Sequence, residues 1–283
     1  MHLYKTLKGN ILEAGGKSYL IDEEWDILIN RKHLYEHLFS FEKELNALAH
    51  HERENYLKDT LPPIGKQEVW AAGVTYLRSR DARMEESRNA GGGDFYQKVY
   101  EAERPELFFK ALPHRVVGHG QQVNIRRDSI WNVPEPELTL FINSHGEIQA
   151  YTVGNDMSSR SIEGENPLYL PQAKTYEKSA ALGPCLFVPE AGKISKETSI
   201  HLLIKRGNQD VFSNSIRITR MKREFNELAA FLYRECDFPC GTFLMTGTGI
   251  VPPDHFTLQA GDEVLITIDG IGTLSNKVGF KQK

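Results

Sequence analysis

Glu135, Glu137 and Asp156 are the residues whose types and spacing point most directly to chemistry. They stand in PEPELTLFINSHGEIQAYTVGNDMSSR, residues 134–160, which reads as a β-hairpin. Residues 137–142 alternate apolar with polar or small side chains, Ser144-His145-Gly146-Glu147 suits a turn, and residues 148–153 return in strand-forming types. A two-residue loop at His145-Gly146 pairs Ser144 with Glu147, and counting outward sets Glu135 opposite Asp156. Glu137 shares the face of Glu135 because a strand repeats every two residues. Three carboxylates therefore converge, with roughly 5–7 Å between neighbours. Such repulsion is costly unless a cation sits among them. Hard oxygen donors suit Mg²⁺, with Mn²⁺ or Ca²⁺ as alternatives. The competing account, a solvated acidic strand face, is the commoner fate of an isolated Glu-x-Glu. The arrival of Asp156 by register, amid Gly154, Asn155 and Ser158-Ser159-Arg160, favours the metal.

Other residue groups carry weaker signals. Thr246-Gly247-Thr248-Gly249 offers backbone N–H groups and hydroxyls suited to a small anion. Gly91-Gly92-Gly93 resembles a phosphate cradle only superficially, because the Lys of a phosphate-binding loop is missing; a lid hinge or plain loop is the better expectation. His33, His37, His50 and His51 lie on a polar helix and read as surface residues. Three cysteines, Cys185, Cys236 and Cys240, cannot build a disulfide framework, and no further Cys or His stands near the last two to complete a zinc site.

The elements that must position these groups follow from pattern. Residues 1–29 read as short strands with a turn at Gly15-Gly16. Apolar residues at 34, 38, 41, 45 and 48 have helical spacing and predict one helix from Leu34 to about Leu57, broken by Leu61-Pro62-Pro63. Residues 1–62 thus form a small α+β domain, followed by a larger one over 63–283. There, 68–76 is a buried strand opening into a loop, and 77–89 and 95–103 are helical around the glycines. Residues 104–110 form an apolar strand with ionisable ends, Glu106 and Lys110, and Gly118-His119-Gly120 turns tightly. Asn166 to Lys174, with two prolines, predicts an ordered loop from which Lys174 projects. Residues 182–188 form a buried strand, 200–204 and 210–213 a hairpin through Gly207-Asn208, and Thr219 caps a helix with Phe225, Leu228 and Leu232 inside. Residues 263–268 and 272–278 complete the sheet. Strands dominate after residue 65, which predicts an α+β fold around a β-roll or sandwich.

The composition, 40% hydrophobic and 25% charged with a net charge of −4 over 283 residues, is that of an ordinary globular protein. A mild negative charge without a basic run argues against nucleic acid. No apolar run approaches the roughly 20 residues of a membrane span, and MHLYKTLKGN lacks the apolar core of a signal peptide, so a cytoplasmic protein is expected.

Several of these segments together carry a resemblance. Gly73-Val74-Thr75-Tyr76, Glu135-x-Glu137, Asn155-Asp156 and Leu182-Gly183-Pro184 resemble the fumarylacetoacetate hydrolase superfamily across nearly all of residues 65–283. RPELFFKALPHRVVGHG, NVPEPELTLF, EGENPLYLPQAKTY and TGTGIVP look like its sugar-acid dehydratases rather than its hydrolases. The hydrolases place a histidine three residues after the loop tyrosine, and a glutamate beyond it, to activate water. Here those positions hold Ser79 and Ala82. Without that base, attack of water loses assistance typically worth about 10²–10⁴-fold.

The resemblance implies a β-rich catalytic domain after a small N-terminal one, and Mg²⁺ held by Glu135, Glu137 and Asp156. It implies Glu106 and Lys174 as the catalytic pair, and a homodimer or homotetramer. The implied reaction is dehydration of a 2-keto-3-deoxy pentonate to 2,5-dioxopentanoate, with C–C hydrolysis or decarboxylation of a related 2-oxo acid as the rival. Thr75, Tyr76, Lys110, Arg160 and Thr248 are placed around this small-molecule substrate, Arg160 either on its carboxylate or bracing Asp156.

Overall fold

A computed structural model of the chain describes residues 1–86, 93–190 and 192–282. In chain order its strands are β1 (His2–Thr6), β2 (Gly9–Ala14), β3 (Lys17–Ile21), β4 (Glu68–Gly73), β5 (Glu106–Ala111), β6 (Val116–Val117), β7 (Gln122–Ile125), β8 (Asn132–Val133) and β9 (Pro136–Ile142). They continue with β10 (Ile148–Asp156), β11 (Ser158–Ser159), β12 (Ala180–Phe187), β13 (Ser199–Arg206), β14 (Gln209–Arg217), β15 (Thr242–Met245), β16 (Glu263–Ile268) and β17 (Gly272–Phe280). The helices are α1 (Trp25–Ile29), α2 (Leu34–Glu44), α3 (His50–Leu57), α4 (Leu77–Glu86), α5 (Gly93–Glu101), α6 (Arg160–Glu165), α7 (Leu170–Lys174) and α8 (Phe225–Leu232).

Among the described residues a ten-stranded sheet runs β3-β2-β1-β12-β10-β9-β15-β4-β5, with β6 beside β12; a five-stranded sheet runs β14-β13-β16-β17-β7, and β8 pairs with β11. The fold is the expected sheet-rich α+β architecture. Leu138, Leu140 and Ile142 face a core shared with Leu202, Ile204, Ile266 and Leu274 of the second sheet. On the other face Phe141 and Ala150 meet Leu3, Trp25, Leu28 and Leu34. All seven residues of β9 are buried, because the central strand is covered on both sides, so its alternation separates two cores rather than core from water.

Four local expectations are corrected. Residues 25–29, expected extended, form α1, capped by the Glu24 carboxylate on the Ile27 N–H at 2.9 Å. The single helix expected over 34–57 is two: Leu45 is extended, and the Leu48 N–H donates to the Ser18 carbonyl at 2.8 Å, which draws the chain back onto β3. Asn166 to Lys174 is helical rather than a loop, a 3₁₀ turn at Pro167–Tyr169 running into α7, with both prolines at first-turn positions that tolerate them. The cap of α8 is Glu224, with Glu227 returning to its N–H, while Thr219 lies in a preceding 3₁₀ turn. The stretch Ala90–Gly92 lies outside the described residues, and Gly93 opens α5.

A buried carboxylate centre as candidate active site

The hairpin of β9 and β10 brings the carboxylates together. Its turn is one residue longer than expected: the Gly146 N–H donates to the Asn143 carbonyl at 3.0 Å, and the Asn143 N–H donates to the Glu147 carbonyl at 2.9 Å. Ile142 therefore pairs with Ile148, one step from the predicted register. A bulge before Ala150 restores it, so Gly154 stands opposite Glu137 and Asn155 opposite Pro136. The Asp156 N–H donates to the Glu135 carbonyl at 3.0 Å, as the predicted pairing requires. One face of the hairpin thus grades from Phe141 and Ala150, through Thr139 and Thr152, to Glu137, Glu135 and Asp156.

One oxygen from each of Glu135, Glu137 and Asp156 lies within 4.8 Å of the others, and all three residues are buried. Burial, reinforced by the charges of Asp156 and Glu135, pushes the Glu137 carboxyl well above its ordinary pKa. Burial also acts on Asp156, but Lys110 and Lys174 outweigh it and hold that carboxyl below its ordinary value. A compact set of three hard oxygen donors, one of them poorly compensated, fits a divalent cation such as Mg²⁺.

Cations surround the set. The Lys174 Nζ donates to Glu135 Oε2 at 2.5 Å, Ser158 Oγ at 2.6 Å and Asp156 Oδ2 at 3.2 Å. Burial opposes its charge, but Asp156 and Glu135 hold the ammonium above the usual lysine pKa. Arg160 Nη2 donates to Glu135 Oε1 at 2.7 Å, so it braces Glu135 rather than Asp156; its burial brings its pKa down to about 10. Lys110 is ion-paired with Asp156 and donates to the carbonyls of Met157 at 2.9 Å and Lys174 at 2.6 Å, which ties β5 to α7. Glu106 begins β5 opposite Gly73. Its Oε2 is buried without a hydrogen bond, and burial raises its pKa.

The Thr246–Gly249 turn does hold an anion, but the anion is the protein's own. The Gly247 N–H donates to Glu137 Oε2 at 2.5 Å. A side chain at Gly247, where φ is +95°, would place Cβ 2.0 Å from Thr75 Oγ1. Thr75 Oγ1 donates to the Thr246 carbonyl at 2.7 Å, Tyr76 is buried near Glu137, and Thr248 lines the small cavity above the carboxylates. Ser79 Oγ accepts from the Tyr76 N–H at 3.1 Å and donates to the Tyr76 carbonyl at 2.7 Å, and Ala82 is buried. Neither position offers a base. Arg83 of α4, which lines the cavity and which no motif singles out, forms a buried ion pair with Glu163 of α6, the first residue of EGENPLYLPQAKTY. Their pairing joins separate helices and has no counterpart in local spacing. The larger clefts, one along Arg115, Arg126 and Tyr176, lie outside this centre.

This combination of sheets and carboxylates defines a class. Residues 69–279 match the model described as "Fumarylacetoacetate (FAA) hydrolase C-terminal", and the chain belongs to that family. Among its relatives is the "Probable 2-keto-3-deoxyxylonate dehydratase" of Haloferax volcanii, 48% identical over 76% of this chain and 73% of the relative. Another is the 2-dehydro-3-deoxy-D-arabinonate dehydratase of Saccharolobus solfataricus, 42% identical over 78% of this chain and 74% of the relative. A solved structure of 2-keto-3-deoxy-D-arabinonate dehydratase complexed with magnesium and 2,5-dioxopentanoate superposes with a TM-score of 0.83 at 32% identity, covering 100% of this chain and 99% of that one.

Proposed function

We propose that this protein is a Mg²⁺-dependent dehydratase converting 2-keto-3-deoxy-D-arabinonate to 2,5-dioxopentanoate and water. The observation that carries the reading is the buried Glu135–Glu137–Asp156 set beside Lys174 and Glu106, with no base at positions 79 and 82. The named dehydratases support the same chemistry, and their names converge. Carbon 2 is a ketone and carbon 3 a methylene in both acids, so arabinonate and xylonate labels differ only at centres the substrate no longer has.

Glu135, Glu137 and Asp156 would hold the divalent ion, which would supply Lewis acidity to the bound 2-keto acid. As its neutral amine, a form that requires its ties to Glu135 and Asp156 to be loosened, Lys174 accepts the proton from C3, which the adjacent ketone acidifies. Glu106, whose pKa burial raises, donates to the departing 4-hydroxyl. The product of this elimination is 5-hydroxy-2-oxopent-3-enoate. Transfer of a proton from C5 to C3 gives an enol, whose ketonisation at C4 yields the dioxo acid. Arg160 and Lys110 act as positioning residues, one on Glu135 and the other on Asp156 and α7. Thr75, Tyr76 and Thr248 complete the surroundings of the substrate. A cytoplasmic homodimer or homotetramer completes the proposal from the family resemblance, and light scattering on the purified protein checks the assembly.

Turnover of the keto acid with Mg²⁺, followed by formation of the dioxo acid with and without a chelator, tests the reading. Chelator-sensitive 2,5-dioxopentanoate is the expected result. Release of CO₂, or two carbon fragments instead of one, would overturn it in favour of decarboxylation or C–C cleavage.

A further inference from the structure

Lys174 is anchored at both ends. Its backbone carbonyl accepts from Lys110 Nζ at 2.6 Å and from Ser179 Oγ at 2.9 Å, which fixes the end of α7. Its side-chain nitrogen, fully buried, meets three oxygens: Glu135 Oε2, Asp156 Oδ2 and Ser158 Oγ. Two of these belong to residues proposed to hold the divalent ion, and those ties loosen before Lys174 can act as a base. The third belongs to a neutral residue of β11, itself buried, whose oxygen lies 2.6 Å from Nζ.

The direction of this bond matters for a base. A serine hydroxyl has one proton to donate and two lone pairs to offer. Ser158 Oγ donates to the Asp156 carbonyl at 3.1 Å. Its proton is thereby committed, and what it turns toward Lys174 is a lone pair. A lysine N–H fills that lone pair whether the nitrogen is an ammonium with three N–H groups or an amine with two. The opposite arrangement would defeat the base, because a hydroxyl free to turn would donate to the amine and occupy the electron pair that must take the C3 proton. The Asp156 carbonyl prevents that turn.

A local account covers only half of this geometry. Serine side chains often bond a carbonyl close by in the chain, which here shapes the exit from β10. That explains the bond to Asp156 but not the short approach to a nitrogen sixteen positions away. The neighbouring Ser159 turns its hydroxyl to Ser129 instead.

Resting on the dehydratase reading above, we infer that Ser158 is the positioning residue of the base. It holds Lys174 Nζ once the carboxylate ties loosen, and it leaves the nitrogen's electron pair free for the proton at C3.

The test uses two variants of the Mg²⁺-loaded protein. Ser158→Ala removes the acceptor, and Ser158→Cys keeps a group of similar shape that accepts only weakly. Each is expected to lower kcat about 10²-fold, the cost of a slightly misplaced group, with KM close to that of the unmodified protein. With substrate deuterated at C3, each should show a primary isotope effect on kcat no smaller than that of the unmodified protein, because proton removal is the step that has slowed. Mg²⁺ binding, followed by calorimetry, is expected to be retained. Unaltered kcat in either folded variant would overturn the assignment, and so would a loss confined to KM, a loss without a primary isotope effect, or a loss of Mg²⁺ binding. Those outcomes leave the dehydratase reading standing. Absence of turnover by the unmodified protein would overturn that reading and this assignment with it.

Discussion

Three carboxylates within 4.8 Å of one another work against folding unless something offsets their repulsion. Lys174 and Arg160 compensate Glu135, and Lys110 and Lys174 compensate Asp156, whereas Glu137 has a backbone N–H from Gly247. A dication binding only the folded chain adds about 2.7 kcal/mol at a hundredfold excess over its dissociation constant, roughly 5 °C in melting temperature for a chain of this size. Glu137→Gln or Asp156→Asn is expected to abolish that Mg²⁺-induced shift, together with turnover, and to leave a folded protein; calorimetry with and without chelator reads it. Glu106 makes a separate prediction about pH. Its folded pKa lies above the ordinary glutamate value of 4.5, so between the two values the folded chain holds a proton that the unfolded chain has lost. Stability therefore falls as pH rises through that window, and Glu106→Gln should flatten this part of the profile in urea titrations at several pH values. The proposed acid role adds that kcat falls on the alkaline side as the same proton is lost. These carboxylates were legible in the sequence because a period of two and one register place them. The pairing of Arg83 with Glu163 was not, since nothing local links a residue of one helix to a residue of another.

The site depends as much on what the elements omit as on what they carry. Strand β4 reaches the cavity at Gly73, paired with Glu106 at the start of β5. A Cβ on Gly73 would fall 1.9 Å from Glu106 Oε2, so the carboxyl occupies the volume that any other side chain would fill. Gly73→Ala is expected to preserve the fold, because β4 keeps its partners β5 and β15, and to lower kcat about 10²-fold by displacing Glu106 by about 1 Å. An unaltered kcat in that variant would count against Glu106 as the acid. The chain then passes through Val74 at φ +54°, a conformation a β-branched residue rarely adopts, before Thr75 and α4. The hairpin shows why register is easier to read than turns. The expected two-residue loop is absent, yet burial of both faces of β9 leaves one solution for Glu135 and Asp156, and a bulge absorbs the difference. Where burial is one-sided, as in the polar helix expected over 34–57, nothing in the pattern marks the break at Leu45.

Across the whole molecule, residues 1–62, expected as a small domain of their own, share a sheet and a core with the residues that follow. Strand β1 pairs with β12 through His2–Phe187 and Leu3–Leu186, which continues the ten-stranded sheet into β2 and β3. Leu3, Trp25, Leu28 and Leu34 share one core with Phe141, Ala150 and Phe243. Sequence periodicity marks which residues are buried but not which partner covers them, so a Pro-Pro break reads as a boundary even where the core runs through it. Each large apolar side chain withdrawn from water contributes about 1.5–3 kcal/mol. Losing four or five of them is comparable with the 5–15 kcal/mol that holds a typical domain folded. Deletion of residues 1–62 is therefore expected to leave a chain that loses its cooperative melting transition and aggregates, because Phe141 and Phe243 become exposed and β12 gains an open edge. Addition of the 1–62 segment as a separate polypeptide should restore solubility by refilling that face. A 63–283 chain that melts cooperatively and binds Mg²⁺ by itself would instead show that the division at residue 62 is a true domain boundary. The carboxylate centre would then owe its geometry to the hairpin and its second-sheet core alone.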